Sequence, residues 1–248
     1  MHASVLLVSA LAASVWGAPA FPKINLVDKL EGVTDYFNML ASKVQDSRSR
    51  GPPVCDLSSV SLPAGASTMA PPSEGLVLKH IAIGRGTQNY TCNPATPGDA
   101  PKANGAVATL FNASCAVATS MELAAALTRA ALYFDLAQSE TLGRLSPSNL
   151  GRSGVHFFTD STTPFFNLDS SAWKLGEIPC AKQGSAPAPQ DAPRGLSGEP
   201  AVAWLKLDAK PGATGGLQEV YRLFTVGGSP PATCEGLPST FEIQYSTQ

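Results

Sequence analysis

The chain carries few residues that could do chemistry. Past His2 it has two histidines, His80 and His156. Histidine changes charge near neutral pH, so each is a candidate acid–base group or metal ligand. His156 opens the run His156-Phe157-Phe158, with Asp160 four residues on, and that pair could share a proton or a metal ion. No third ligand or nucleophile stands at a helpful spacing, and neither G-x-S-x-G nor H-E-x-x-H occurs. The residues therefore yield no defined catalytic set, no metal site and no cofactor. A hydrogen-bonded structural histidine is the commoner case in a β protein. Arg222 lies between Val220 and Phe224 on one face of a strand-like run. An arginine there needs a carboxylate such as Glu219 or Asp208, or an anionic ligand.

Arg85 and Gln88 flank Gly84-Arg85-Gly86, which reads as a tight turn where a ligand could dock. A dinucleotide fingerprint would need a third glycine where Asn89 stands, followed by a helix. Trp173 and Trp204 could form a sugar-stacking platform, although Trp204 has the setting of a core residue. Glu177, Glu199, Asp208 and Glu219 offer carboxylates for a glycosidase pair, whose separation in space their spacing does not define.

The stretch Leu76–Cys115 organises the rest. It holds two glycosylation sequons, Asn89-Tyr90-Thr91 and Asn112-Ala113-Ser114, each asparagine three residues before a cysteine. A period of two sends Cys92 and Cys115 inward and Asn89 and Asn112 outward, as a glycan in water and a buried disulfide require. The five cysteines, Cys55, Cys92, Cys115, Cys180 and Cys234, predict two disulfides and one free thiol. Any of them could be the free one, and none shows zinc spacing.

Positioning these residues calls for a mainly β chain. Gly and Pro are abundant, at 22 and 21, and charged residues are 15% of the total, which suits short strands and loops. Strands are predicted over Leu76–Ile83, Gln88–Cys92, Gly105–Cys115, Val155–Phe158, Phe165–Leu168, Val202–Leu207, Leu217–Val226 and Phe241–Tyr245. Thr119–Leu136 reads as a helix with Ser120 as N-cap. Gly184–Gly198 reads as a loop. The expected fold is an antiparallel β-sandwich or barrel with one or two short helices. Residues 54–248 form one β domain. Residues 19–53 are an amphipathic helix, periodic from Ile24 to Val44, and a linker. Residues 1–18 are a secretory signal peptide, with the apolar run Val5–Val15 and a cut after Gly17.

Export explains the disulfides. The net charge of −2 and pI near 5.9 give no footprint for nucleic acid or an anionic membrane. The expectation is a soluble, secreted, extracellular glycoprotein.

The ordered segments HIAIGRGTQNYTC, GAVATLFNASC, HFFTDSTTPFFNLD, AVAWLKLDAK, LQEVYRLFTVGGSPPATCEG and FEIQYS carry a resemblance over about Cys55–Ser246. The chain resembles secreted fungal and bacterial proteins of a domain-of-unknown-function family, whose members often carry the label malate dehydrogenase. No dinucleotide fingerprint or βαβ alternation accompanies that label here. The resemblance implies that Cys55, Cys92, Cys115 and Cys234 form the disulfides and Cys180 is free. It also implies an aromatic end beyond Tyr245, which this sequence replaces with Ser246-Thr247-Gln248. The pairs expected are Cys92–Cys115, across a gap between strands, and Cys55–Cys234, joining the ends of the domain. The functional expectation is a non-catalytic module of the extracellular space or cell wall, with extracellular glycan as partner. The alternative is a secreted hydrolase acting on carbohydrate.

Overall fold

The structure, a computed structural model, describes residues 55–248 and, ahead of them, Thr34, Asp35 and Asn38. Those three are helical, and Asp35 forms a 2.9 Å ion pair with Arg129. The rest of the expected signal peptide, amphipathic helix and linker lies outside the described residues.

Ten strands form one antiparallel sheet. They are β1 (Ala82–Thr91), β2 (Lys102–Asn112), β3 (Arg144–Leu145), β4 (Leu150–Asp160), β5 (Thr163–Asp169), β6 (Lys174–Ala186), β7 (Trp204–Ala209), β8 (Glu219–Arg222), β9 (Val226–Gly227) and β10 (Thr240–Thr247). Their spatial order is β8-β7-β6-β5-β4-β2-β1-β10-β9, with β3 paired to β4. The mainly β, antiparallel expectation holds, and the sheet is curled into a half-barrel. Just past β8, Leu223 exchanges backbone hydrogen bonds of 2.7 and 2.8 Å with Gln248, which follows β10. This seam draws one end of the sheet back toward β10 and β1. Twist gives a sheet this large its curl, and the seam fixes how far it goes.

Three helices cover the outer face: α1 (Ser114–Thr119), α2 (Met121–Ala131) and α3 (Leu136–Leu142). Ser120 caps α2 as expected, its hydroxyl accepting from the Leu123 amide. Asp135 caps α3, and Gly143 closes it at φ 61°, a left-handed position suited to glycine. Ala124, Leu127, Ala130 and Ala131 of α2 bury themselves against Ile83 and Phe111 of the sheet. A segment over 55–73, here called the strap, crosses β7 and β8. Its Ala66 and Met69 pack on Trp204. Pro71 O accepts from Lys206 Nζ at 2.9 Å, and the Ser73 hydroxyl donates to Glu219 at 2.6 Å.

Several expectations are corrected. Residues 76–81 are not strand; β1 begins at Ala82 and runs straight through Gly84 and Gly86. The expected turn is absent because Gly86 serves a close strand approach. A Cβ on Gly86 would collide with the backbone of Val107 and Ala108. β6 was not expected, and it takes in Gly184–Ala186 of the expected loop.

The same four cysteines are bridged, with partners exchanged: Cys55–Cys115 and Cys92–Cys234. The hairpin explains the exchange. Ala82 pairs with Asn112 and Thr91 with Lys102, so Cys92 and Cys115 sit at opposite ends of the β1–β2 hairpin. A strand of that length separates them by roughly 30 Å. Cys92 is buried as expected, but Cys115 lies in the first turn of α1 and is exposed. Cys180 is free, and burial, aided by nearby Asp208, pushes its thiol up to about 12.

Candidate functional site

Successive side chains of a strand point to opposite faces, and that alternation sorts the six candidate ligand residues. Arg85 points outward under α2. It is 1% exposed, and its guanidinium donates to Ala131 O and Leu132 O at the end of α2, to Gly86 O and Tyr245 O, and to the Gln244 side chain. Burial lowers its pKa to about 10. Arg85 is a clamp between sheet and helix, with its donors spent on protein oxygens, so it is not open to a ligand. His80 lies just before β1. Its Nε2 meets Ser153 Oγ at 2.9 Å and its Nδ1 meets Ser114 Oγ at 3.4 Å. Burial lowers its pKa. Both serines are buried, Ser153 completely, so neither is placed to attack a substrate.

Asp160 and His156 do not form a pair. Four residues of strand separate positions by roughly 13 Å. Asp160 sits exposed at the β4–β5 turn. There it accepts from Thr162 N, Thr162 Oγ1 and Thr163 N, and those bonds hold its carboxyl down at about 2. His156 is buried on the inner face, stacked on Phe166 at 4.2 Å, with Nδ1 donating to Phe165 O. Burial, with the Arg222 charge adding to it, lowers its pKa to about 4.

Gln88, His156 and Arg222 share the inner face of the curl. The sheet places Tyr245, Gly86, Ala108, His156 and Phe166 side by side across five strands. The seam brings Arg222 of β8 within electrostatic reach of Tyr90, Tyr245 and His156. Arg222 has neither of the carboxylates expected for it. Glu219 is taken by Lys206 at 3.1 Å, and Arg222 donates instead through Nε and Nη2 to Ala203 O. Tyr90 and Tyr245 have raised pKa values, mainly from burial, Tyr90 up to about 12.

The outer face of the same strands carries an open groove of about 670 Å³. Arg144, Arg152, Asn167, Asp169 and Trp173 line it. The pleat explains the division. Val155, Asn167 and Glu177 align on this face, whereas His156, Phe166 and Ile178 align on the other. Trp173 is 38% exposed, and its ring lies 6.5 Å from His80. Arg144 donates to Asn149 O, while the exposed Arg152 guanidinium has no partner among the described residues. Trp204, the other candidate platform, is buried under the strap.

Only two of the four candidate glycosidase carboxylates are brought together: Asp208 and Glu219 are cross-strand neighbours on one face of the β7–β8 ladder, with Glu219 engaged by Lys206. Glu177 accepts from Asn167, Glu199 from Ser197 N, and Glu219 from Ser73 as well as Lys206. Among the described residues no group of three or more His, Cys, Asp or Glu could hold a metal ion.

The family comparison agrees with the resemblance. Residues 72–248 match the model of a family described as "Protein of unknown function (DUF3455)". The chain belongs to this family. No curated protein and no solved structure matches it. The DUF3455 match takes in both the groove and the inner cluster and leaves out the strap before residue 72. Neither the match nor the fold lends support to the malate dehydrogenase label.

Within this domain, sequence reading missed Tyr90, Tyr245, Arg144 and Arg152. The tyrosines were legible as same-face neighbours of Gln88 and Ile243, had the pairing of β1 with β10 been known. The arginines carry no motif, and they meet because the Ser146-Pro147 region returns β3 against β4.

Proposed function

We propose that this protein is an exported glycoprotein acting as a non-catalytic binding module of the extracellular space. Its ligand surface is the groove beside Trp173, and the ligand class is cell-wall polysaccharide bearing acidic sugars. One observation carries the reading: a half-exposed indole and an unpartnered guanidinium, Arg152, line the same open groove. An indole face stacks on the apolar face of a sugar ring, and a guanidinium takes a carboxylate bidentately. Two disulfides suit an oxidising compartment, and no helix among the described residues is long and apolar enough to cross a membrane.

Glycans at Asn89 and Asn112 belong to the same reading. Both asparagines are half-buried, and their side-chain oxygens accept from Thr87 Oγ1 and Ser114 N respectively. Both would be modified before the sheet closes. The test is binding of the secreted protein to polygalacturonate and to a neutral glucan, beside a glycoside hydrolase panel. Preference for the acidic polymer is expected, with affinity falling roughly tenfold in Trp173→Ala. Absence of binding, an unaffected variant, or turnover of any glycan would overturn the reading.

A further inference from the structure

We propose that the inside of the curl is a second, separate site, which takes a small monocarboxylate with an apolar body, its anionic head held by Arg222 and Gln88. The groups that converge there are donors short of acceptors. Arg222 spends Nε and Nη2 on one oxygen, Ala203 O, at 3.2 and 2.8 Å. A guanidinium has five N–H donors, so others remain unspent. Among the described residues no carboxylate compensates its charge; the nearby phenols of Tyr245 and Tyr90, both kept protonated by burial, carry no negative charge to offset it. Gln88 is 8% exposed, and its amide nitrogen has no partner. Its side chain faces the Tyr245 hydroxyl, but no hydrogen bond of ordinary geometry joins the two, and the same hydroxyl is within electrostatic reach of Arg222. The Tyr90 hydroxyl is committed to Gly228 O at 2.7 Å, and His156 commits Nδ1 to Phe165 O. No anionic acceptor in the described protein answers these donors.

An unpaired buried amide and an uncompensated guanidinium both cost stability unless something accepts from them. A carboxylate answers both at once, whereas a neutral guest leaves the arginine charge unmet. The walls choose the rest of the ligand. Phe158, Phe166 and Phe241 are half-buried, so solvent reaches this face. Phe241 stacks on Tyr90 at 5.5 Å and Phe166 on His156 at 4.2 Å. Such rings suit an apolar body and disfavour a heavily hydrated phosphate.

The full secreted chain is titrated with benzoate, benzamide and inorganic phosphate by calorimetry, and the signals of His156, Tyr90 and Tyr245 are followed by NMR. Benzoate should bind saturably and move those signals, with benzamide and phosphate at least tenfold weaker. Arg222→Met, which keeps the apolar stem, should lose roughly tenfold to hundredfold in benzoate affinity. Trp173→Ala should lose none, which separates this site from the groove on the other face. If Arg222→Met does not fold, Gln88→Leu decides, with a loss of about tenfold expected. Lack of saturable benzoate binding, equal binding of benzamide, tighter binding of phosphate, or full affinity in whichever variant folds would overturn the proposal.

Discussion

Arg85 and Arg222 show how one residue type takes two fates. Both stand in strands among apolar neighbours, and both read from sequence as possible ligand contacts. Arg85 points to the helix face, where the last carbonyls of α2 await a donor. Arg222 points into the curl, where one carbonyl serves it. The contrast is measurable. Arg85→Met would leave the oxygens of Leu132 and Gln244 without their donor inside the protein, and Ala131 O with only the long 3.4 Å bond from the Phe134 amide. A loss of about 3 kcal/mol is expected by urea unfolding. A loss under about 1 kcal/mol would mean that water replaces the guanidinium.

At the scale of elements, the strap and its disulfide set the terms. Cys55–Cys115 is exposed at both ends and closes a separation of 60 residues. Cys92–Cys234 is buried beside the β1–β10 ladder. Mild reductant should therefore open Cys55–Cys115 first. Loss of that loop closure destabilises by about 4 kcal/mol in the chain-entropy model. The strap should then loosen, and Trp204 fluorescence should shift to the red while Cys92 and Cys234 resist alkylation. Simultaneous alkylation of all four cysteines would contradict this order.

The elements also show what was legible. Ser120 could be read as a cap, and the alternation around Phe111 and Asn112 as a strand, because both signals are local. The pairing of disulfides was not, because it depends on which end of a hairpin each cysteine reaches. β6 was hidden by Gly176, Pro179 and Gly184, residues that usually interrupt a strand. Here Gly176 fits a close approach to the backbone of Thr214. The groove joins residues from three separate segments, and nothing local announces it.

The whole molecule should answer to pH through its buried groups. His156, and His80 in the same direction, bind a proton less readily folded than unfolded. Above the unfolded value near 6.5 neither state is charged, so these groups add no pH dependence. Below it the unfolded chain takes up protons that the folded chain refuses, so stability falls as pH drops from about 6.5 toward about 4. For His156 the full loss is about 3 kcal/mol. Asp160 and Glu219, whose carboxyls are held low, add a further loss at still lower pH. Urea midpoints measured in steps from pH 7 to pH 4 should decline, and His156→Phe should flatten the decline. A midpoint constant over that range would refute the assignment of a neutral, buried imidazole.

The exchanged disulfides have a mechanical consequence. A pull applied at Cys55 and Gln248 passes through one bridge to Cys115, back along 92–115, and through the other bridge to 234–248. Only those two stretches lie on the covalent line of tension, about a fifth of the contour of the domain. Residues 116–233, which carry Arg152, Trp173 and Arg222, hang beside that line as a closed ring. The domain can thus be stretched between its ends, as an anchored wall protein would be, while the chain that carries the groove stays unloaded.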